Sequence, residues 1–186
     1  MNYTRAELKK ILGAVGENVT IHRSVNLFSP ERIQLGSNVR IDCAALLSAG
    51  KDGIYIGNNV HVGAGVYLMG SGGKIILDNF SGLSPRVTIF TASDDYSGGF
   101  MTNPTIPEKF RKVRAGAVCV QKHGLIGCGS VIMPGVTIGL SASVGALSFV
   151  NKSVPDFAIV SGNPVRLIGK RNEKILLLEK EFLNEV

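Results

Sequence analysis

The chain has 186 residues, enough to bury one sizeable core, and its 20 Lys and Arg against 14 Asp and Glu leave a formal net charge of +6, which calls for an anionic partner. No stretch is long and apolar enough for a membrane span and the amino terminus lacks a signal-type apolar run, so the expectation is a cytoplasmic protein with no membrane insertion. Cys43, Cys119 and Cys128 are odd in number and have no metal-type spacing, which argues for free thiols and against a metal centre.

In chain order, Thr4 followed by Glu7 has capping-box spacing ahead of Leu8, Ile11 and Leu12, so an amphipathic helix is expected within residues 1–14, covering whatever core lies beyond it. From residue 15 a six-residue rhythm begins. Apolar plugs fall at Val15, Ile21 and Leu27, then at Leu35, Ile41 and Leu47, then at Ile56, Val62 and Leu68. Slim residues such as Val25, Val39, Ala45 and Val66 follow four positions after a plug. A straight strand would bury every second residue. One large and one slim inward residue per six instead imply a short strand and a sharp corner. Three such units close an eighteen-residue triangular coil, and stacked coils pair their strands in parallel around a continuous core.

A fourth triplet starts at Ile76 but blurs, because Gly82 and Thr88 are poor plugs and Ile89 suggests a one-residue slip. A long excursion over 92–117 follows, of the kind that is usually functional or disordered. The rhythm resumes without a fault at Val120, Ile126, Ile132, Ile138, Val144 and Val150. Beyond it, Asn172 can cap a helix carrying Ile175, Leu178, Phe182 and Leu183 on one side. The expected organisation is one domain over 1–186: a helix in 1–14, a solenoid of about six coils over 15–155 with its loop at 92–117, and a C-terminal segment and helix over 156–186.

The run Ile126-Gly127-Cys128-Gly129-Ser130-Val131-Ile132-Met133-Pro134-Gly135-Val136-Thr137-Ile138-Gly139, with Val144-Gly145-Ala146 and Ser161-Gly162-Asn163-Pro164-Val165-Arg166, resembles the hexapeptide-repeat acyltransferases, in the branch of galactoside, maltose and xenobiotic acetyltransferases. Ser93-Asp94-Asp95-Tyr96-Ser97-Gly98 and Met101-Thr102-Asn103-Pro104 are similar to viosamine-type enzymes that N-acetylate nucleotide-linked 4-amino-4,6-dideoxy sugars. The resemblance implies an all-β, left-handed parallel β-helix, an exception to the right-handed crossover rule, assembled as a homotrimer with active sites between subunits. It also implies acetyl-CoA along the C-terminal coils, met by Cys128, Ala146, Asn151, Lys152, Arg166 and Lys170, with Arg171 as a further contact for its phosphates. The alternative for these basic residues is an ordinary solvated face.

Acyl transfer to a hydroxyl needs a general base, which the resembling O-acetyltransferases take from a loop histidine. The loop here has none, and Asp94 and Asp95 stand at the matching place. An amine needs only to lose its extra proton, so paired carboxylates suit an ammonium acceptor, unless they merely cap a turn. His61, on the outer side of a middle coil, is the remaining candidate base, whereas His123 fits a turn and His22 the surface. The expected function is N-acetylation of a nucleotide-linked amino sugar for surface polysaccharide synthesis, with no bound metal and no nucleic-acid partner. O-acetylation of a galactoside or glycan hydroxyl is the alternative. Two further readings carry less: a non-catalytic scaffold, which needs no such loop, and a γ-type carbonic anhydrase, whose three zinc histidines do not fit the spacing of these three.

Overall fold

The computed structural model describes residues 1–185. Helix α1, Arg5–Ile11, starts where Thr4 places its hydroxyl on the Glu7 backbone NH and Glu7 returns its carboxylate to the Thr4 NH at 2.7 Å. The helix buries Leu8 completely, and Leu12 just after it is almost as deeply placed, so the first coil is closed by apolar side chains rather than by water. Glu7 also accepts from Arg23 at 2.7 and 2.8 Å, which ties the helix to the first coil.

The body is a parallel β-solenoid with three flat faces. Six strands form the first sheet, eight the second and six the third. The second continues past six coils because Ala158–Gly162 pairs in parallel with Ser143–Val144 and is itself covered by the antiparallel strand Val165–Lys170. The sequence rhythm ends at Val150 because the next corner is short: Val154, not a residue six further on, bridges to Ile138, and Val160 then takes the next rung.

Each plug stacks on the plug one coil away. Val15, Leu35, Ile56, Leu77, Val120 and Ile138 line the first face. Ile21, Ile41, Val62, Leu83, Ile126, Val144 and Val160 line the second. The third holds Leu27, Leu47, Leu68, Ile89, Ile132 and Val150. The fourth coil is therefore as regular as the others, and the expectation that it starts at Ile76 is corrected: its plugs are Leu77, Leu83 and Ile89, with buried Ser81 and Val87 as slim partners. Ile76, Gly82 and Thr88 occupy the outward positions. One extra residue in the preceding Gly-rich corner shifts the phase. Glycine is required at two positions there, since a Cβ on Gly72 would lie 2.4 Å from the Thr91 carbonyl oxygen and one on Gly73 would lie 2.8 Å from the Ala117 nitrogen.

Helix α2, Lys174–Glu185, begins with Asn172 accepting from the Lys174 NH at 2.8 Å. On its apolar side Phe182 meets the Phe80 ring edge-on, while Leu178 and Leu183 stay about half exposed within one chain.

Candidate active site

The long excursion leaves the corner after the third strand of the fourth coil and returns to start the fifth. Its base is an antiparallel pair, Ala92–Asp94 with Val113–Ala115, in which Ser93 faces Arg114 and Asp94 faces Val113. This hairpin overhangs the outer side of the third sheet and encloses a cleft of about 1130 Å³. Phe90, Val131, Met133 and Phe149 form an apolar floor, because outward positions on the last rungs of that sheet carry large side chains. Asp94, Asp95, Tyr96 and Ser97 line it from the outgoing strand, and Lys112 and Arg114 from the returning one. The cleft thus offers anionic and cationic groups above a hydrophobic surface.

Both carboxylates are fixed on one oxygen. Asp94 Oδ2 accepts from the Asn103 backbone NH at 3.1 Å, and Asp95 Oδ2 accepts from the Ser97 hydroxyl at 2.6 Å. The other oxygen of each is left for a ligand. Lys112 and Arg114 were not singled out by the sequence reading. The signal for them was the alternation Lys112-Val113-Arg114, which places two cations on one side of a returning strand.

His61 lies elsewhere. It projects from the second sheet, half exposed, and its Nε2 donates to Asp42 Oδ2 at 2.8 Å, while Arg40 Nε donates to Asp42 Oδ1 at 2.7 Å. Burial alone would push the Asp42 carboxyl up, but the hydrogen bonds from His61 and Arg40 outweigh it and hold it below the usual aspartate range. Within one chain the fold does not bring His61 to Asp94 and Asp95. His123 sits at a corner with φ +59° and is buried, in keeping with a turn role.

The residues expected along the cofactor fall into three groups. Cys128 and Ala146 are exposed on successive rungs of the corner between the second and third sheets, linked by the Leu147 NH donating to the Cys128 carbonyl at 2.8 Å. Arg166 continues that edge, as it pairs with Ser161 on the following rung. Asn151 and Lys152 occupy the next corner around the solenoid, after Val150. Lys170 ends the terminal strand, where its Nζ meets Glu173 at 2.9 Å. Arg171 is anchored to the solenoid: its guanidinium Nη1 donates to the carbonyls of His123 and Ser141 at 2.8 and 3.2 Å. Among the described residues no three His, Cys, Asp or Glu side chains gather as a metal site.

No family model matches the chain. It is, however, 36% identical over 169 residues to a dTDP-4-amino-4,6-dideoxy-D-glucose acyltransferase of Escherichia coli, covering 91% of this chain and 88% of the relative. A galactoside O-acetyltransferase of Lactococcus lactis shares 32% identity over 63% of the chain and 56% of its own length. Among solved structures, AntD, an N-acyltransferase from Bacillus cereus in complex with dTDP and 3-hydroxybutyryl-CoA, superposes with a TM-score of 0.93 at 40% identity, covering 99% and 97% of the two chains. A variant of AntD holding dTDP-4-amino-4,6-dideoxyglucose and coenzyme A gives 0.95 at 39%, covering 100% and 98%. These likenesses span the loop and the terminal segment as well as the coils, and with them the chain belongs to the hexapeptide-repeat acyltransferases, enzymes that take their acyl group from CoA.

Proposed function

We propose that this enzyme transfers an acyl group, acetyl being the expected one, from CoA to the amine of a nucleotide-linked 4-amino-4,6-dideoxy sugar, for use in surface polysaccharide assembly in the cytoplasm. The observation that carries the reading is the cleft that Asp94, Asp95, Lys112 and Arg114 line together above an apolar floor. A nucleoside-diphosphate amino sugar has matching parts: a diphosphate for the cations, an ammonium for the carboxylates and a deoxygenated ring edge for the aromatic floor. Two relatives that share nine-tenths or more of this chain's length act on or hold such a sugar.

The chemistry follows from these groups. Asp95, with Asp94 beside it, takes one proton from the bound ammonium. The freed nitrogen attacks the thioester carbonyl, the carbon–sulfur bond breaks, and CoA leaves as a thiolate that receives the second nitrogen proton. A carboxylate suffices because an amine is nucleophilic once neutral. Cys128, Ala146 and Arg166 would hold the donor along one edge, with Asn151, Lys152 and Lys170 supplied from the adjoining corner and strand end. As the two edges diverge within one chain, a homotrimer in which neighbours complete each other's sites accounts for both.

Thiol release from acetyl-CoA and 3-hydroxybutyryl-CoA, assayed against dTDP-linked amino sugars and free galactosides, tests the proposal. Turnover with a dTDP-4-amino sugar is expected. Acylation of galactosides alone would reject it. The His61–Asp42 pair favours a second reading, O-acetylation, since a carboxylate at 2.8 Å orients an imidazole as a base. Under that reading His61→Ala abolishes turnover of hydroxyl acceptors.

A further inference from the structure

The corner between the first and second sheets carries a ladder of left-handed residues, one per coil: Asn18, Asn38, Asn59, Phe80, His123, Ser141 and Phe157, all with φ between +53° and +60°. Their backbones connect rung to rung, as in the Phe80 NH to Asn58 carbonyl and His123 NH to Asn79 carbonyl bonds at 2.9 and 3.1 Å. The first three are asparagine, the non-glycine residue that tolerates this conformation best. The next four are not, and two of them are phenylalanine, for which the conformation is strained.

Every one of those four meets the C-terminal segment. Phe80 stacks on His123 at 5.1 Å and takes Phe182 edge-on at 5.9 Å. His123 Nε2 donates to Glu179 Oε2 at 2.8 Å, and Lys122 Nζ to Glu179 Oε1 at 2.9 Å. The carbonyls of His123 and Ser141 accept from Arg171, and the Phe157 carbonyl accepts from the Arg171 NH at 2.6 Å. The Glu179 side chain is nine-tenths buried, and the hydrogen bonds from Lys122 and His123 outweigh the burial that would raise its carboxyl. On this corner the rungs that lack asparagine are the ones whose side chains or carbonyls meet the segment, while Ala44, Arg86 and Leu147 take the same conformation at another corner without it.

The strand immediately before Arg171 is Val165–Lys170, which among the described residues has a sheet neighbour on one side only, Ala158–Gly162. We infer that the upper four rungs of this corner are a dock that holds Val165–Lys170, and Arg166 with it, in register for the acyl-CoA, so that His123 and Glu179 are positioning residues for the donor. This rests on the assignment of Arg166 to the CoA proposed above.

Three variants of the full-length protein test it. Glu179→Ala removes the docked charge, and His123→Asn restores the residue of the lower rungs, so the corner itself keeps its fold. In both, the KM for acetyl-CoA and the Kd of free CoA should rise about 3–10-fold, the effect of losing one well-placed hydrogen bond. The kcat and the acceptor KM should hold, and amide hydrogen exchange across 165–170 should quicken. Arg166→Ala should raise the same constants without quickening exchange, and combining it with Glu179→Ala should add little, because both act on one contact. Unchanged CoA affinity in Glu179→Ala and His123→Asn, beside weakened binding in Arg166→Ala, overturns the dock alone. Unchanged affinity in Arg166→Ala overturns the donor assignment and, with it, the dock's role in catalysis.

Discussion

Asp94 and Asp95 differ in what holds them, a backbone NH for the first and a serine hydroxyl for the second. The Ser97 hydroxyl can turn away as a ligand arrives, whereas the Asn103 amide is fixed by the loop, so in the proposed reaction Asp95 is assigned as proton acceptor and Asp94 as anchor. Asp95→Asn should therefore cut turnover with an amino sugar by roughly 10²-fold at low pH, where more of the acceptor is ammonium and needs a base. Much of that loss should return as the pH rises and the free amine accumulates. A loss independent of pH would assign Asp95 to binding instead. The two carboxylates were legible in the sequence because a loop that lacks the expected histidine draws attention to what replaces it. Lys112 and Arg114 were not, because an exposed Lys-Val-Arg becomes meaningful only once an antiparallel partner turns it over a cleft.

At the level of elements, the amino-terminal helix follows from its capping box, and the structure adds the Arg23 contact that no local pattern encodes. The Glu7 carboxyl is lowered from 4.5 to about 2, chiefly by the Arg23 hydrogen bond and then by those from Thr4. Its folded value lies below its unfolded one, so this stabilisation is complete above about pH 4.5 and disappears as the pH falls through about 2. The melting difference between wild type and Arg23→Ala should accordingly be largest near neutrality and close on acidification through that window. A difference that stays constant down to pH 2 would mean that Arg23 acts by packing on Tyr3, whose ring lies 5.1 Å away, rather than by charge. The fourth coil shows where reading by period fails. Outward Ile76 mimics a plug, and a single corner residue moves the phase, so apolar character alone cannot tell the inner face from the outer.

For the molecule as a whole, the coils are legible because every rung repeats one steric demand, whereas the loop, the terminal hairpin and the C-terminal dock depend on contacts between distant segments that occur once each. The repeat also makes stability a sum over neighbours. Ile138 is fully buried between Val120 and Val154, so Ile138→Asp places an uncompensated carboxylate in the core at a cost of several kcal/mol, on the order of the whole stability of a domain. Circular dichroism should report loss of the C-terminal coils, and a variant that melts like wild type would refute the inward placement of this residue.

The strand Val165–Lys170 runs against the direction of the rung it covers. A stack of parallel rungs is an open template at its end, onto which another chain could polymerise without limit. By turning its last strand back on itself, this chain presents an oncoming solenoid with a second sheet of the wrong polarity, one that also carries Arg166 and Lys170. The hairpin proposed to serve the donor therefore acts as a terminator too, and keeps a self-complementary architecture from growing into a fibre.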